Sequence, residues 1–304
     1  MRRRSVLALI AFAAAFPGPV RPSDTRGPAE FLSAFVWRGD DPELGGMSGI
    51  AVTPDGAGFV ALSDYGFWTR GRFRRDARGA IAGIEAPPLR PLQSAEAGRI
   101  LPGRPDSEGL ALAPDGSAYV AFEGMAPRVR RYAALDGPAE NLPRPGEFRG
   151  MTFNASLESV AADARGWVYV LAERPRNSPA RYPVYRFRDG RWDRAFFLPR
   201  RGGFAAVDAT VGPDGRFYLL EREFRGLGGF ATRVRRWALD GAGQPGPEEP
   251  VLETPGGRHD NIEGLSVWRD AEGRLPTTTS ASSCGPRSSS TACPPAIDRR
   301  APRA

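Results

Sequence analysis

The sequence predicts an all-β chain built as a propeller. Three observations predict it: a hairpin motif recurring along 304 residues, turn chemistry at each recurrence, and 37 glycines and 30 prolines spread among short apolar runs. Gly and Pro at this frequency suit many short strands joined by tight turns better than long helices.

The hairpin first appears as Ser48-Gly-Ile-Ala-Val-Thr-Pro-Asp-Gly56, followed by the strand-like Phe59 to Asp64. It returns as Glu108-Gly-Leu-Ala-Leu-Ala-Pro-Asp-Gly116 with Ala118 to Glu123, then from Glu158 to Gly166 with Trp167 to Glu173. A fourth copy runs from Asp208 to Gly215 with Phe217 to Glu221, and a fifth opens at Glu263-Gly-Leu-Ser-Val and turns at Gly273. Pro presets φ and Gly supplies φ > 0, so each turn closes a hairpin. The turn glycines are 60, 50, 49 and 58 residues apart. A hairpin plus one or two outer strands per repeat of about 50 residues is the size of a four-stranded blade. Segments such as Val129 to Tyr132, Tyr185 to Phe187 and Val234 to Trp237 supply those outer strands. The expected architecture is a β-propeller of five to six blades, six favoured. The sixth would be assembled from Phe31 to Trp37 and the C-terminal strand. A two-sheet sandwich explains alternating strands but not a hairpin recurring at blade-sized intervals.

The chain divides into a signal peptide and linker (1–23), the propeller (24–275) and an anomalous tail (276–304). Arg2 to Arg4 precede the apolar run Val6 to Phe16 and small-residue cleavage sites, which reads as a secretory signal and implies a periplasmic or secreted protein. The arginine pair fits twin-arginine export as well as the general route. The apolar run is too short to span a bilayer, so no stable membrane span is expected. After Leu275 the chain turns to Thr, Ser, Cys and Pro without apolar periodicity, just where the fifth hairpin needs its second strand. Shifting the frame by one base allows Thr277 to Cys293 to spell a strand-like D-D-N-F-R-F sequence. The tail is therefore read as a frameshifted, disordered ending and the last blade as incomplete. Cys284 and Cys293, the only cysteines, lie within it, so the body has no disulfide framework.

All 42 basic residues are arginine, and the net charge is +7. No recognition helix, zinc-finger spacing or aromatic RNA-binding motif accompanies that charge, and no nucleic-acid partner is expected. Clusters at Arg70 to Arg75, at Arg128, Arg130 and Arg131, and at Arg200 and Arg201 read as solvated surface, with attraction for anionic substrates as the functional alternative.

In an antiparallel hairpin the start of the first strand and the end of the second share an edge. Glu108 therefore falls beside Glu123, Glu158 beside Glu173, and Asp208 beside Glu221, while Glu263 opens the fifth copy. Radial symmetry would gather all seven around one mouth, with Asp64, Asp260 and Asn261 as further channel-mouth candidates. Clustered carboxylates repel and call for a cation, arginines or raised pKa values, and hard oxygen ligands suit Ca²⁺. The seven acids are accordingly the candidate metal ligands. No catalytic side chain is singled out. His259 is the only histidine and Gly-x-Ser-x-Gly is absent, which disfavours a Ser-His-Asp hydrolase, and no glycine spacing for a nucleotide cofactor is present.

The Glu-Gly-Leu openings at Glu108 and Glu263, the Asp260-Asn261-Ile262-Glu263-Gly264-Leu265 segment, Ser48-Gly49-Ile50 and the Pro-Asp-Gly turns together resemble the phytase-like family described as having esterase-like activity. The resemblance covers residues 30 to 275 and implies a β-propeller with metal-assisted hydrolysis of a phosphoric or carboxylic ester, the substrate a small anionic ester. Two other readings stand beside it: a non-catalytic periplasmic propeller that binds a ligand or protein, and a lactonase-like metal hydrolase. The oligomeric state is not legible.

Overall fold

A computed structural model describes residues 25–103, 105–151, 155–281 and, as backbone, 296–301. The signal segment 1–23, Cys284 and Cys293 lie outside the described residues. No helix among the described residues is long and apolar enough to cross a membrane.

Strand β1 (Glu30–Phe35) belongs to the last sheet. The first sheet holds β2 (Met47–Val52), β3 (Gly58–Ser63), β4 (Phe67–Arg75) and β5 (Ile81–Glu85), with the short β6 (Arg90–Pro91) also on β4. The second holds β7 (Ser107–Leu112), β8 (Ala118–Phe122), β9 (Arg128–Tyr132) and β10 (Ala139–Asn141). The third holds β11 (Leu157–Ala162), β12 (Val168–Ala172), β13 (Arg181–Arg188) and β14 (Arg191–Pro199). The fourth holds β15 (Ala205–Val211), β16 (Arg216–Phe224), β17 (Phe230–Leu239) and β18 (Pro245–Glu253). In the last, β19 (Ile262–Val267) pairs with β20 (Leu275–Ala281), β20 with β21 (Ala296–Ala301), and β21 with β1. The molecule is thus an all-β, propeller-like arrangement. The inner strands adjoin in a closed cycle, β2 to β7, β11, β15, β19 and back to β2.

The blade number expected from the sequence is corrected. Regular four-stranded blades number four, the first sheet carries the extra β6, and there is no sixth sheet among the described residues. The segment Phe31 to Trp37 and the C-terminal strand complete the fifth hairpin's sheet instead of building one of their own. The boundary at 275 also moves. Residues 276–281, read as disordered, form most of β20, whose Thr277, Thr278, Thr279 and Ser280 are buried, and 296–301 form β21.

The turns form as their chemistry dictates. Asp115 accepts the backbone N–H of Ser117, Asp163 those of Arg165 and Trp167, and Asp270 those of Glu272 and Arg274. Each aspartate ties the turn that its glycine, at φ of 83°, 80° and 77° respectively, allows to close. Apolar residues alternate along the strands and fill the seams between sheets. Leu62 and Trp68 of the first sheet pack with Leu110, Val120 and Phe122 of the second. Tyr169 and Leu171 of the third pack with Phe217 and Leu219 of the fourth.

One irregularity recurs in all five inner strands. The pairing slips by one residue between Met47 and Gly49, Ser107 and Gly109, Leu157 and Ser159, Ala206 and Asp208, and Ile262 and Gly264. A β-bulge therefore falls at Ser48, Glu108, Glu158, Val207 and Glu263. A bulge re-aims the side chain of its extra residue, and here it does so at equivalent positions around the axis.

Candidate functional site

The bulges and the ends of the second strands define one tier at the mouth. The first strands contribute Ser48, Glu108, Glu158, Val207 and Glu263. Because Ala172 pairs with Leu157 and Phe122 with Ser107, the next residues along, Glu173 and Glu123, leave the hairpin at this tier. In the fourth sheet Glu221 pairs with Ala206 in the same way, so the residue at the tier is Arg222.

Five of the seven predicted acids come together. Glu108 is raised well above the ordinary carboxylate range by burial first and then by the charges of Glu263, Glu123, Asp64 and Asp106. Glu158 is likewise raised by burial and by Glu173, with Arg222 acting against the shift and Glu108 and Glu123 adding to it. Glu123 is raised by burial, moderated by the Ser156 N–H that its Oε1 accepts at 2.8 Å. Glu173 is raised by burial, with Arg222 and Arg174 opposing. Asp64 joins this group through its charge on Glu108.

Arg222 is the cation of the tier, and the sequence reading missed it. Its Nη1 donates to Glu263 Oε1 and to Asn261 Oδ1, each at 2.5 Å, and its Nη2 lies 3.6 Å from Glu173 Oε1. Asn261 in turn donates to Glu263 Oε1, so the expected mouth residue Asn261 is part of the site. Asp260 accepts the backbone N–H of Asn261. His259 stacks against Phe31, with ring centroids 6.5 Å apart.

Asp208 and Glu221 do not join the tier. The fourth copy has one residue fewer between Asp208 and its turn glycine than Glu108 has, so matching the two places the hairpin one step out of register. A one-residue step along a strand sends the side chain to the opposite face. Asp208, fully buried, accepts Ala209 N–H at 2.8 Å and Leu265 N–H at 2.7 Å, fastening the inner strand to the fifth sheet. Its carboxyl is raised by burial while those backbone bonds act the other way. Glu221, fully buried, is gripped by two arginines: Arg233 Nε at 2.9 Å and Arg235 Nε at 2.7 Å. Tyr182 donates to its Oε1 at 3.4 Å. Asp208 occupies the place that Gly49, Gly109 and Gly264 hold in other sheets. A Cβ on Gly109 would stand 2.3 Å from Glu158 O, so this glycine lets β7 meet β11 backbone to backbone.

The set does not fit a calcium shell. Ca²⁺ takes six to eight oxygens at about 2.3–2.6 Å, whereas among the described residues no three or more Asp, Glu, His or Cys side chains are grouped so as to hold a metal ion. On one side of the tier a guanidinium already stands between Glu173 and Glu263. What the arrangement offers directly is four carboxyls that burial biases toward the protonated form, Glu108 and Glu158 most strongly, with Glu173 and Glu263 held on an arginine.

A propeller-like β fold with buried acids at the mouth of its ring defines the class of protein. The particular family follows from comparison: the family model "Phytase-like: Esterase-like activity of phytase" matches residues 42–279, and the chain belongs to that family. No curated protein matches it. Among solved structures, it is similar to the catalytic domain of a family 62 α-L-arabinofuranosidase from Coprinopsis cinerea. Identity there is 12%, the TM-score is 0.52, and 92% of this chain and 98% of that one are covered. An α-L-arabinofuranosidase from Podospora anserina in complex with cellotriose gives 13% identity and a TM-score of 0.51, over 88% and 94% of the two chains. Virginiamycin B lyase from Staphylococcus aureus gives 14% and 0.41, over 85% and 72%. These likenesses concern the fold alone.

Proposed function

We propose that the acidic tier hydrolyses esters by acid–base chemistry supplied by its own carboxyl groups. The observation that carries this reading is the pairing of Glu108 and Glu158, biased by burial toward the protonated state, with Glu173 and Glu263 on the Arg222 fork. Neighbouring carboxyls in unlike surroundings, two outside the arginine's fork and two on it, are how one site supplies both an acid and a base. A carboxylate at Arg222 takes a proton from water as its oxygen bonds to the ester's acyl carbon. The carbon–oxygen bond to the alcohol then breaks, and the departing oxygen takes the proton of Glu108 or Glu158. Proton exchange between the carboxyls restores the start.

With Glu108 and Glu158 protonated, three further glutamates against one arginine still leave the tier short of positive charge, which favours an uncharged carboxylic ester over a phosphate dianion. The calcium expected from the sequence has no preformed shell among the described residues, and the chemistry above runs without it. Export through the segment 1–23 belongs to this proposal on sequence grounds, and secretion of a fused reporter tests it.

The experiment compares turnover of p-nitrophenyl butyrate and p-nitrophenyl phosphate by the purified chain, in EDTA and in added Ca²⁺. Expected is butyrate hydrolysis that survives EDTA and falls about 100-fold or more in Glu108→Gln, the scale of a lost general acid. Turnover only with Ca²⁺ would replace this mechanism by metal-assisted hydrolysis. No turnover of either ester under both conditions would leave a ligand-binding propeller.

A further inference from the structure

The arginine cluster of the second sheet splits into two unlike parts. Arg131 is matched: its Nη2 lies 3.0 Å from Asp115 and its Nη1 3.4 Å from Glu140. Arg128 and Arg130, three residues and one residue before it, project from the opposite face of β9. Both stand over the ring of Phe122, their guanidinium carbons 4.5 and 5.5 Å from its centroid. Arg144, in the loop after β10, adds its charge to theirs.

Among the described residues none of these three arginines has a carboxylate within salt-bridge distance. Nε and Nη1 of Arg130 and Nε of Arg144 are buried and meet no hydrogen-bond acceptor. Arg128 donates only to its neighbour's carbonyl, Ala126 O, at 3.3 Å. Its pKa is pulled down to about 10, by burial first and then by the charges of Arg130 and Arg144, with Asp106 acting in the opposite direction. Elsewhere the buried arginines are answered: Arg222 by Glu263, Arg233 and Arg235 by Glu221. Three partly desolvated cations with no carboxylate in contact are strongly unfavourable, and an oxyanion at their rim offsets them through space even where it bonds only the outer N–H groups. Phe122 lies under both guanidinium groups and restrains where the two forks stand, which is the preparation that bidentate binding of an oxyanion needs.

We propose that Arg128, Arg130 and Arg144 form an oxyanion-binding site, separate from the glutamate tier, for a ligand carrying a phosphate group. Phe122 directly precedes Glu123 of the tier and pairs with Arg128, so the site lies at the mouth end of the second sheet, on its outer strands. Three positive charges select a dianion over a single carboxylate.

The test titrates the full chain with inorganic phosphate in a phosphate-free buffer, by calorimetry and by thermal unfolding, against chloride and acetate at equal ionic strength. Expected is saturable binding of one phosphate per chain, weakened at least tenfold in Arg128→Gln and Arg130→Gln and within twofold of the parent in Arg131→Gln. Without phosphate, Arg130→Gln is expected to unfold no lower than the parent, since it relieves repulsion. As a second readout on the unaltered chain, phosphate should protect Arg128 and Arg130, but not the paired and half-exposed Arg188, from phenylglyoxal. Tighter binding of acetate than of phosphate, equal binding by Arg130→Gln, or protection no better than in chloride would each overturn the proposal.

Discussion

Arg222 carries the electrostatic balance of the mouth. Replacing it with Met would leave Glu263, Glu173 and Glu158 facing one another without a cation, and removing one partner of a buried pair costs about 3–5 kcal/mol. The expected outcome is a loss of that order in urea unfolding at pH 8, shrinking toward pH 5 as the glutamates protonate. A second expectation concerns Glu158. Its folded pKa lies above the ordinary 4.5, so the native chain keeps up to a higher pH a proton that the unfolded chain has already released. The stability it contributes is full below that ordinary value and is lost as pH rises through the raised one, at about 1.4 kcal/mol per pH unit of separation. Glu158→Gln should flatten the decline of unfolding free energy with rising pH; a decline as steep as the parent's would contradict the assignment. Glu221, gripped by Arg233 and Arg235, makes the contrast: Glu221→Gln should lower stability without changing the ester kinetics of the folded fraction.

At the level of the strand, bulge and glycine act together. Each bulge turns one side chain to the mouth, and in the first, second and fifth sheets the glycine after it lets the neighbouring inner strand approach. Gly109→Ala puts a methyl group against Glu158 O, and overpacking of this kind costs about 1–3 kcal/mol; a midpoint in urea equal to the parent's would refute the contact. Turns and hairpins were legible because Pro-Asp-Gly has a backbone consequence that needs no tertiary context. The bulges were not, since nothing local distinguishes Glu158 as an extra residue. Arg222 was within reach: Glu123, Glu173 and Arg222 each follow their turn glycine by seven residues, and counting from the glycine would have replaced Glu221. β20 escaped notice because its Thr and Ser are buried while looking polar. β-Branched Thr suits a pleated strand, and hydropathy does not register that preference.

The whole molecule closes through a sheet drawn from distant parts of the chain. β1 pairs with β21, and β21 with β20. Deleting residues 282–304 removes the partner of both β1 and β20, exposing two strand edges of the kind that recruit other chains. The expected result is a lower unfolding temperature with concentration-dependent aggregation, read by light scattering during a thermal ramp; unchanged scattering would show the fifth sheet to be dispensable. Five of the seven acids assigned from the sequence meet at the tier because radial repetition was legible. The closure was not, because pairing residues 30–35 with 296–301 is a contact between segments more than 250 positions apart, which no local pattern encodes.

That closing sheet also sets an order of events during synthesis. Asn261 stands just before, and Glu263 on, a strand whose sheet waits for residues near 300, so a ribosome must pass that point before the fifth sheet of the ring is pinned in place. Nascent chains would hold Glu108 and Glu158 early but lack their counterpart, and the tier would be complete only once that strand had paired.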